Sequence, residues 1–307
     1  MKFGLKLHHS GPGANPMHML RWTRFAETLG MHLIMVADHA ALTPDVRARY
    51  ADPYYEPFTN LAWLAAKTRA MQVGTTVIVV PYRHPLHLAQ LTANVDQLSA
   101  GRLIFGVGVG WAQQEFEALG VPYHQRGALT DDYLAALKVL WTHDVASYEG
   151  AHVSFRDVKL SPKPVQQPHP PIWVGGSSDA ALRRAVRFAD GWHPIGPRLA
   201  WLQQEALPKL KHIADSVGRP MPALCPRIWC RLTDTPLPED ERLAGEGTLE
   251  QVHRDLAALQ GMGATYVLLD TKRHSPTALS PKHYEEAWRT LAILAEKVID
   301  FDQECVR

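Results

Sequence analysis

The adjacent pair Asp38-His39, in the run MVADHAAL, is the first candidate for acid–base chemistry. The pair stands where a buried strand is predicted to end, and an imidazole there can donate or accept a proton near neutral pH. The carboxylate of Asp38 would restrain or tune His39. His8 and His9 end the first predicted strand and face the same question. The alternative stays open that these are ordinary hydrogen-bonded histidines, and they form no HExxH pair, so we predict no metal site.

Two glycine-containing segments are candidates to receive a ring or a phosphate. The run GRLIFGVGVGWAQQEF carries glycines at alternate positions, Gly106, Gly108 and Gly110. Glycine lets a backbone approach a ligand closely, although the spacing fits a dinucleotide-binding turn poorly. In PPIWVGGSSDAALRRA, Gly175, Gly176 and Ser177 lead into a predicted helix whose first amide groups could bind a phosphoryl group. The alternative is a plain strand-to-helix turn with a serine or aspartate cap.

The elements that would position these residues alternate along the whole chain. Eight strands are predicted, at Phe3–His8, His32–Val36, Gln72–Val80, Leu103–Gly106, Ile172–Gly175, Gly191–Pro194, Ile228–Leu232 and Thr265–Leu269. Eight helices are predicted, at Met17–Leu29, Pro57–Ala70, Pro85–Leu98, Leu129–Trp141, Asp179–Phe188, Trp201–Ser216, Thr248–Gln260 and Pro281–Ala295. Regular β/α alternation favours a parallel sheet wrapped by helices. Eight pairs in 307 residues predict an α/β fold, a (β/α)8 TIM barrel formed as one domain by residues 1–307.

Two excursions interrupt the alternation. One spans Ala40–Glu56, and the other spans Thr142–His169 and is predicted to contain a hairpin about Glu149-Gly150. We expect both to be loop insertions at the C-terminal face of the barrel, where they are candidate lids over an active site. The aromatic residues expected to line such a pocket are Tyr54, Tyr55, Trp111 and Trp192.

The overall composition excludes several classes of function. With 46% hydrophobic and 21% charged residues the chain is typical of a globular protein with a substantial core. The 32 Lys+Arg and 31 Asp+Glu residues are balanced, which predicts no nucleic-acid partner. The first twenty residues predict neither a signal peptide nor a membrane span, so we expect a cytoplasmic protein with no membrane partner. The three cysteines lack zinc-type spacing and are expected to be reduced.

In their order and wording, five motifs resemble those of the bacterial-luciferase-like family, which contains flavin-utilising monooxygenases and deazaflavin-dependent oxidoreductases. The motifs are ADH at Ala37–His39, VGTTVIVVPYRHP at Val73–Pro85, DQLSAGRLIFGVGVGWAQQEFEALGVP at Asp96–Pro122, PKPVQQPHPPIWVGGSS at Pro162–Ser178 and ADGWHP at Ala189–Pro194. The resemblance spans nearly the whole chain and implies a (β/α)8 barrel with the flavin at the C-terminal ends of the strands.

The resemblance also implies roles for particular residues. His39 matches the histidine that donates or accepts a proton in this family. Thr76-Val77 matches the family's non-prolyl cis peptide, a bulge that supports the ring, so that Thr75 and Thr76 lie beside it. Gly175, Gly176 and Ser177 match the segment that receives the cofactor phosphate. Gly108 and Val109 fall in the run GVGVGW, where Val109 replaces an arginine that holds the phosphate in many FMN-using members.

These matches make coenzyme F420 the expected cofactor and FMN the alternative. The function implied is hydride transfer between the deazaflavin and a small organic substrate, with His39 carrying the coupled proton. The alternative is an FMN-dependent, two-component monooxygenase, and a less favoured one is a flavin-binding protein without catalysis. A separate reductase would supply the reduced cofactor, and related proteins suggest a homodimer.

Overall fold

The computed structural model describes residues 1–271 and 281–307. Its central sheet contains ten strands: β1 (Lys2–Lys6), β2 (Leu33–Val36), β3 (Gln72–Thr75), β4 (Ile78–Val79), β5 (Leu103–Gly108), β8 (Ile172–Gly175), β9 (Gly191–His193), β10 (Ala223–Leu224), β11 (Arg227–Trp229) and β14 (Tyr266–Asp270). Three two-stranded pairs lie outside it: β6 (Ala146–Glu149) with β7 (Ser154–Val158), β12 (Arg231–Leu232) with β13 (Glu246–Gly247), and β15 (Ile299–Asp300) with β16 (Cys305–Val306). Seven of the eight predicted strands lie in the central sheet, and the eighth, Ile228–Leu232, is divided between β11 of that sheet and β12 of a two-stranded pair.

The helices follow the strands as predicted. The eight long helical segments are α1 (Pro16–Thr28), α3 (Pro57–Lys67), α4 (Pro85–Leu98), α6 (Arg126–Thr142), α7 (Asp179–Phe188), the continuous run of α8 (Leu199–Trp201), a π-helical turn (Leu202–Ala206) and α9 (Leu207–Ser216), α10 (Leu249–Gly261), and α11 (Pro281–Lys297). Two short helices, α2 (Pro44–Arg47) and α5 (Gln113–Ala118), were not predicted. Asn15, Ser178 and Thr248 cap α1, α7 and α10 with side-chain oxygens, as expected for these residue types.

The sheet is parallel and curled. Its strand order is β10-β9-β8-β5-β3-β2-β1-β14-β11, with β4 paired to β5. The two ends of this path, β10 and β11, are separated only by Cys225 and Pro226. On one side, the Arg227 amide donates to Pro194 O at 2.9 Å, and on the other the Leu268 amide donates to Pro226 O at 2.9 Å. The predicted α/β architecture with a parallel sheet is therefore confirmed.

Side chains inside the curl differ between its two ends. A small apolar cluster fills one part of the interior: Leu33, Met35, Ile104, Trp173, Cys225 and Leu268. The alternate residues Ile34 and Val36 belong instead to the large core between sheet and helices. Toward the carboxyl ends of the strands the inward positions become polar and remain buried: Lys6, Thr76, His193, Arg227 and Asp270. Buried charge at the carboxyl ends of parallel strands marks the end at which ligands bind in such folds.

The two excursions lie at different places. Residues 40–56 follow β2 and therefore lie at the carboxyl ends of the strands, as predicted. The hairpin β6–β7 is present as predicted, but it follows α6 rather than a strand. Its tip is held against α6 by Asp132, which accepts from Tyr148 Oη at 2.6 Å and from the His152 amide at 2.6 Å. The second excursion therefore leaves the end of a helix, whereas an insertion at the C-terminal face was expected to leave the end of a strand.

Candidate active site

His39 and Glu115 form a buried pair at the end of β2. His39 Nδ1 lies 2.7 Å from Glu115 Oε2, and the two side chains are 5% and 0% exposed. An ionised carboxylate can only accept, so the proton of this hydrogen bond lies on Nδ1. Nε2 of His39 has no hydrogen-bond partner in the part of the chain that the structure describes. Glu115 therefore orients the imidazole through Nδ1, and Nε2 is available to a ligand.

Three further donors surround the Glu115 carboxylate. The Ala40 and Ala41 amides donate to Oε1, the latter at 3.0 Å, and Tyr82 Oη donates to Oε2 at 2.7 Å. Burial alone would raise the pKa of Glu115, but the hydrogen bond and charge of His39, with the Ala41 and Tyr82 contacts, hold that pKa below its ordinary value. The group is thus an anion fixed beside His39. Sequence reasoning missed it, because nothing in WAQQEF relates α5 to the end of β2.

Aromatic rings enclose His39. The centroids of Tyr50, Tyr54 and Trp111 lie 5.0, 5.2 and 5.6 Å from that of the imidazole, and Tyr54 and Trp111 meet it edge-on. Two of the four predicted pocket aromatics, Tyr54 and Trp111, are thus beside His39. Trp192 is not, because it is fully buried in the core between sheet and helices, where its Nε1 donates to Gly176 O at 2.9 Å.

Asp38 is paired with a different residue from the one expected. Its two oxygens accept from Arg83 Nη1 at 2.6 Å and Nη2 at 2.9 Å, and Oδ2 also accepts from the Val79 amide at 3.0 Å. The structure pairs His39 with Glu115 and not with its neighbour. The contacts of Asp38 instead fix β4 and the segment that follows it, so this carboxylate acts on the site by holding the chain beyond Val77.

The Thr76–Val77 peptide bond is cis, as the resemblance implied. Thr75 is buried, and its hydroxyl donates to Gly106 O at 2.7 Å. Thr76 is also buried, with its hydroxyl 2.9 Å from His193 Nε2. Only Val77 of the three is partly exposed. The two threonines are therefore bound to the sheet, and the Val77 side chain is the part of this segment that reaches the strand ends.

Two of the predicted glycines make room for Val77. A Cβ added at Gly108 would lie 2.6 Å from Val77 Cγ2, and one added at Gly175 would lie 3.1 Å from Val77 Cγ1. Real Cβ atoms essentially never approach as closely as the first distance, so residue 108 must be glycine if Val77 is to keep its place. Val109 follows as a half-buried apolar residue at the same edge. The shelf is the apolar surface formed by four residues: Val77, Gly108, Val109 and Gly175.

A buried polar chain lies behind Thr76. His193 Nδ1 donates to Cys225 O at 2.5 Å, so its Nε2 accepts from the Thr76 hydroxyl. Complete burial lowers the pKa of His193 to about 4, which keeps it neutral. Arg227 Nη1 donates to Thr76 O at 3.2 Å, and the same guanidinium pairs with Asp270 through Nε at 2.9 Å. These groups were not predicted, although ADGWHP contains His193.

The predicted phosphate cup lies at the start of α7. Gly176 and Ser177 are exposed, Gly176 has a φ of 110°, and Ser178 caps the helix by accepting from the Ala181 amide at 3.2 Å. Arg184 joins α7 to the first two turns of α6 through Gly127 O and Asp131. Arg126 begins α6: its Nη1 donates to Tyr123 O at 3.0 Å, and its Nε is buried without a hydrogen-bond partner among the described residues. Arg126 was also missed by sequence reasoning.

His8 and His9 are held by neighbouring groups. His8 Nε2 lies 2.7 Å from Thr271 Oγ1, while the two ring nitrogens of His9 each lie 3.0 Å from a carbonyl oxygen, of Leu7 and of Ala37. Within residues 1–271 and 281–307, no group of side chains could hold a metal ion, and no helix is long and apolar enough to cross a bilayer.

Comparison with known proteins gives one family and several relatives. The sequence profile described as luciferase-like monooxygenase matches residues 1–242. An uncharacterised protein of Mycobacterium tuberculosis H37Rv is 33% identical over 205 residues, which is 62% of this chain and 71% of the relative. The FMNH2-dependent dimethylsulfone monooxygenase of Pseudomonas putida is 38% identical over 149 residues, 48% of this chain and 41% of that protein. The oxygenase component of the flavin-dependent trigonelline monooxygenase of Acinetobacter baylyi is 34% identical over 171 residues, 55% and 45% of the two chains.

Solved structures share the fold over nearly the full length. The monooxygenase RslO1 of Streptomyces bottropensis superposes with a TM-score of 0.78 at 24% identity, covering 96% of this chain and 98% of that one. An F420-dependent secondary alcohol dehydrogenase, solved with an F420–acetone adduct, superposes with a TM-score of 0.76 at 17% identity and the same coverage, 96% and 98%. At these identities the likeness shows the fold alone.

Proposed function

Because the chain belongs to the luciferase-like monooxygenase family, we propose that it is an F420-dependent oxidoreductase in which His39 carries the proton that accompanies hydride transfer. Membership alone makes it an oxidoreductase or monooxygenase of flavin or deazaflavin type. The observation that supports the role of His39 is its pairing with Glu115, with a 2.7 Å hydrogen bond at Nδ1 and an open Nε2. We also propose that the curled sheet closes into a (β/α)8 barrel, since residues 223–229 bond to the strands on both sides.

The described residues fit a flavin-like cofactor. The shelf of Val77, Gly108, Val109 and Gly175 offers an apolar surface that a Cβ at either glycine would disturb. A planar ring would rest there, beside the segment that contains Thr75 and Thr76. Its phosphoryl group would bind the amides of Gly176 and Ser177 and the guanidinium of Arg126, whose Nε has no partner among the described residues. When bound in its reduced form, the deazaflavin supplies a hydride.

The protein's own contribution is to donate or accept one proton at a defined atom. His39 holds its Nδ1 proton against the Glu115 carboxylate, so Nε2 is the atom that gains or loses a proton at the substrate. Glu115 keeps the ring oriented without touching the substrate. The rings of Tyr50, Tyr54 and Trp111 exclude water from this atom.

A binding titration tests the cofactor assignment. Purified protein is titrated separately with oxidised F420 and with FMN, and fluorescence is followed. We expect F420 to bind more tightly, and Ser177→Asp to weaken binding at least tenfold because it adds a negative charge beside the phosphate. Ser216→Asp adds the same charge at the exposed end of α9 and serves as the control. Binding of neither cofactor would overturn the assignment.

An FMNH2-dependent monooxygenase is the second candidate. It is favoured by the monooxygenase activities of the relatives at 38% and 34% identity. In that case a separate reductase would supply reduced FMN, and the protein would consume oxygen in a substrate-dependent way. Tight FMN binding with such oxygen consumption, and no F420 turnover, would select this candidate. The homodimer, the cytoplasmic location and the single domain of residues 1–307 stay predictions.

A further inference from the structure

Tyr54 carries a polar atom that the pair His39–Glu115 does not use. Its hydroxyl oxygen is buried and has no hydrogen-bond partner among residues 1–271 and 281–307. Leaving a buried hydroxyl unpaired destabilises a fold by about 1–3 kcal/mol, so such a group in a site usually has a partner that arrives with the ligand. The other tyrosine hydroxyls near the site include that of Tyr82, which is already bound to Glu115.

The backbone holds Tyr54 firmly in this position. Residue 54 forms an antiparallel bridge with Ser10. On either side of it, Pro53 O accepts from the Gly11 amide at 2.8 Å, and the Tyr55 amide donates to His9 O at 3.2 Å. The segment of residues 53–55 is thus fastened to the chain that follows β1. The backbone that carries the Tyr54 ring is therefore fixed before any ligand binds, and a donor on a preorganised segment can stabilise a developing charge.

The ring that carries this hydroxyl lies beside His39. The ring of Tyr54 lies 5.2 Å from that of His39 and 5.0 Å from that of His9. Burial raises the pKa of Tyr54 well above its usual value, and the nearby Tyr50 and Asp38 raise it further. The hydroxyl therefore keeps its proton and acts as a hydrogen-bond donor over the working range of pH. His39 Nε2 is the complementary group, which can exchange its proton.

We propose that Tyr54 is a further catalytic residue and that the substrate class is a carbonyl compound or the corresponding alcohol, with an apolar or aromatic body. This inference rests on the proposed deazaflavin function. In the reducing direction, the carbonyl carbon accepts the hydride from reduced deazaflavin, and the C=O π bond breaks. The oxygen takes one proton from His39 Nε2, while Tyr54 Oη donates a hydrogen bond to the same oxygen and keeps its proton. The rings of Tyr50 and Trp111 contact the body of the substrate.

The test uses the whole protein with reduced F420 and three carbonyl probes: acetone, benzaldehyde and acetophenone. Oxidation of F420 gives kcat and KM, and a fluorescence titration gives the cofactor dissociation constant separately. We expect turnover with at least one probe, and Tyr54→Phe to lower kcat about 100-fold, as loss of one oxyanion donor does, with cofactor affinity unchanged. The matched control is Tyr148→Phe. It removes a hydroxyl of the β6–β7 hairpin that donates to Asp132 on α6.

The outcomes separate this inference from the proposed function. Equal kcat in wild type and Tyr54→Phe overturns the role of Tyr54. Tight F420 binding without turnover of any probe overturns the substrate class and leaves the deazaflavin assignment standing. Failure of wild-type protein to bind F420 overturns the proposed function, and this inference with it.

Discussion

Glu115 lies 2.7 Å from His39 although 76 positions separate them in the sequence. The carboxylate comes from α5, after β5, and the imidazole from the end of β2, so the pair joins two segments that meet only in the folded protein. Glu115 orients the ring through Nδ1 from the buried side, and Nε2 of His39 stays available to a ligand.

Replacing His39 with alanine should lower kcat between about 100-fold and 10,000-fold, the range that a positioned acid–base group contributes. Cofactor affinity should stay the same, because the shelf and the start of α7 are untouched. Steady-state kinetics and a fluorescence titration measure the two quantities. His212→Ala, at an exposed position on α9, is the control. Unchanged turnover would remove His39 from the mechanism.

Glu115→Gln keeps the shape of the side chain but removes its charge. We expect kcat to fall about 10-fold to 100-fold, by analogy with loss of a hydrogen-bonded partner behind an active histidine. Glu117→Gln, two positions along α5 and exposed, should have no effect. Equal turnover in the two variants would contradict the orienting role of Glu115.

The same variant has a predicted effect on acid stability. The folded-state pKa of Glu115 lies below its ordinary value of 4.5. Its contribution to the free energy of unfolding is therefore complete above pH 4.5 and disappears as the pH falls through the folded-state value. Urea unfolding of wild type and Glu115→Gln should show the largest difference at neutral pH and a shrinking one below pH 4.5. A difference that grows with acidity would reverse the assigned sign.

His193 makes a second, separable contribution to acid sensitivity. Its pKa falls from 6.5 in the unfolded chain to about 4 in the fold, so the unfolded chain binds one more proton between these values. The free energy of unfolding should therefore decrease by about 3 kcal/mol as the pH falls from above 6.5 to 4, and this contribution changes no further below pH 4. His193→Gln should flatten that slope in urea titrations. His152→Gln, an exposed histidine, should leave it as it is.

Gly108→Ala should disturb the shelf. The new methyl group would lie 2.6 Å from Val77 Cγ2, so Val77 must move toward the space assigned to the cofactor ring. We expect F420 or FMN to bind at least tenfold more weakly. Gly261→Ala, where an added Cβ meets nothing within 4 Å, is the control and should bind normally. Normal binding by Gly108→Ala would remove the shelf from the cofactor site.

The sequence predicts local features of this fold well and distant pairings poorly. All eight strands were found because each is a short β-rich run, and His39 was placed at a strand end by the same reasoning. The partner of His39 was not predicted, because the adjacent position in MVADHAAL favoured Asp38. In the folded chain the Asp38 carboxylate accepts from Arg83 instead. The hairpin at residues 146–158 was predicted from its turn. Because it follows the helix α6, it does not leave the sheet from the end of a strand, as the lid expectation required.

Asp45 and Gln114 tie α2 to α5 by a reciprocal pair of hydrogen bonds: the Asp45 amide donates to Gln114 Oε1 at 3.0 Å, and the Gln114 amide donates to Asp45 Oδ2 at 3.0 Å. The excursion that carries Tyr50 and Tyr54 is thereby joined to the helix that carries Glu115. To transfer the loops that surround the active site of a related protein onto this scaffold, residues 40–56 and 109–118 should be exchanged together. Exchanging either segment alone would remove one partner of the Asp45–Gln114 hydrogen bonds. Directed evolution should therefore find compensating substitutions that occur in pairs, one in each segment.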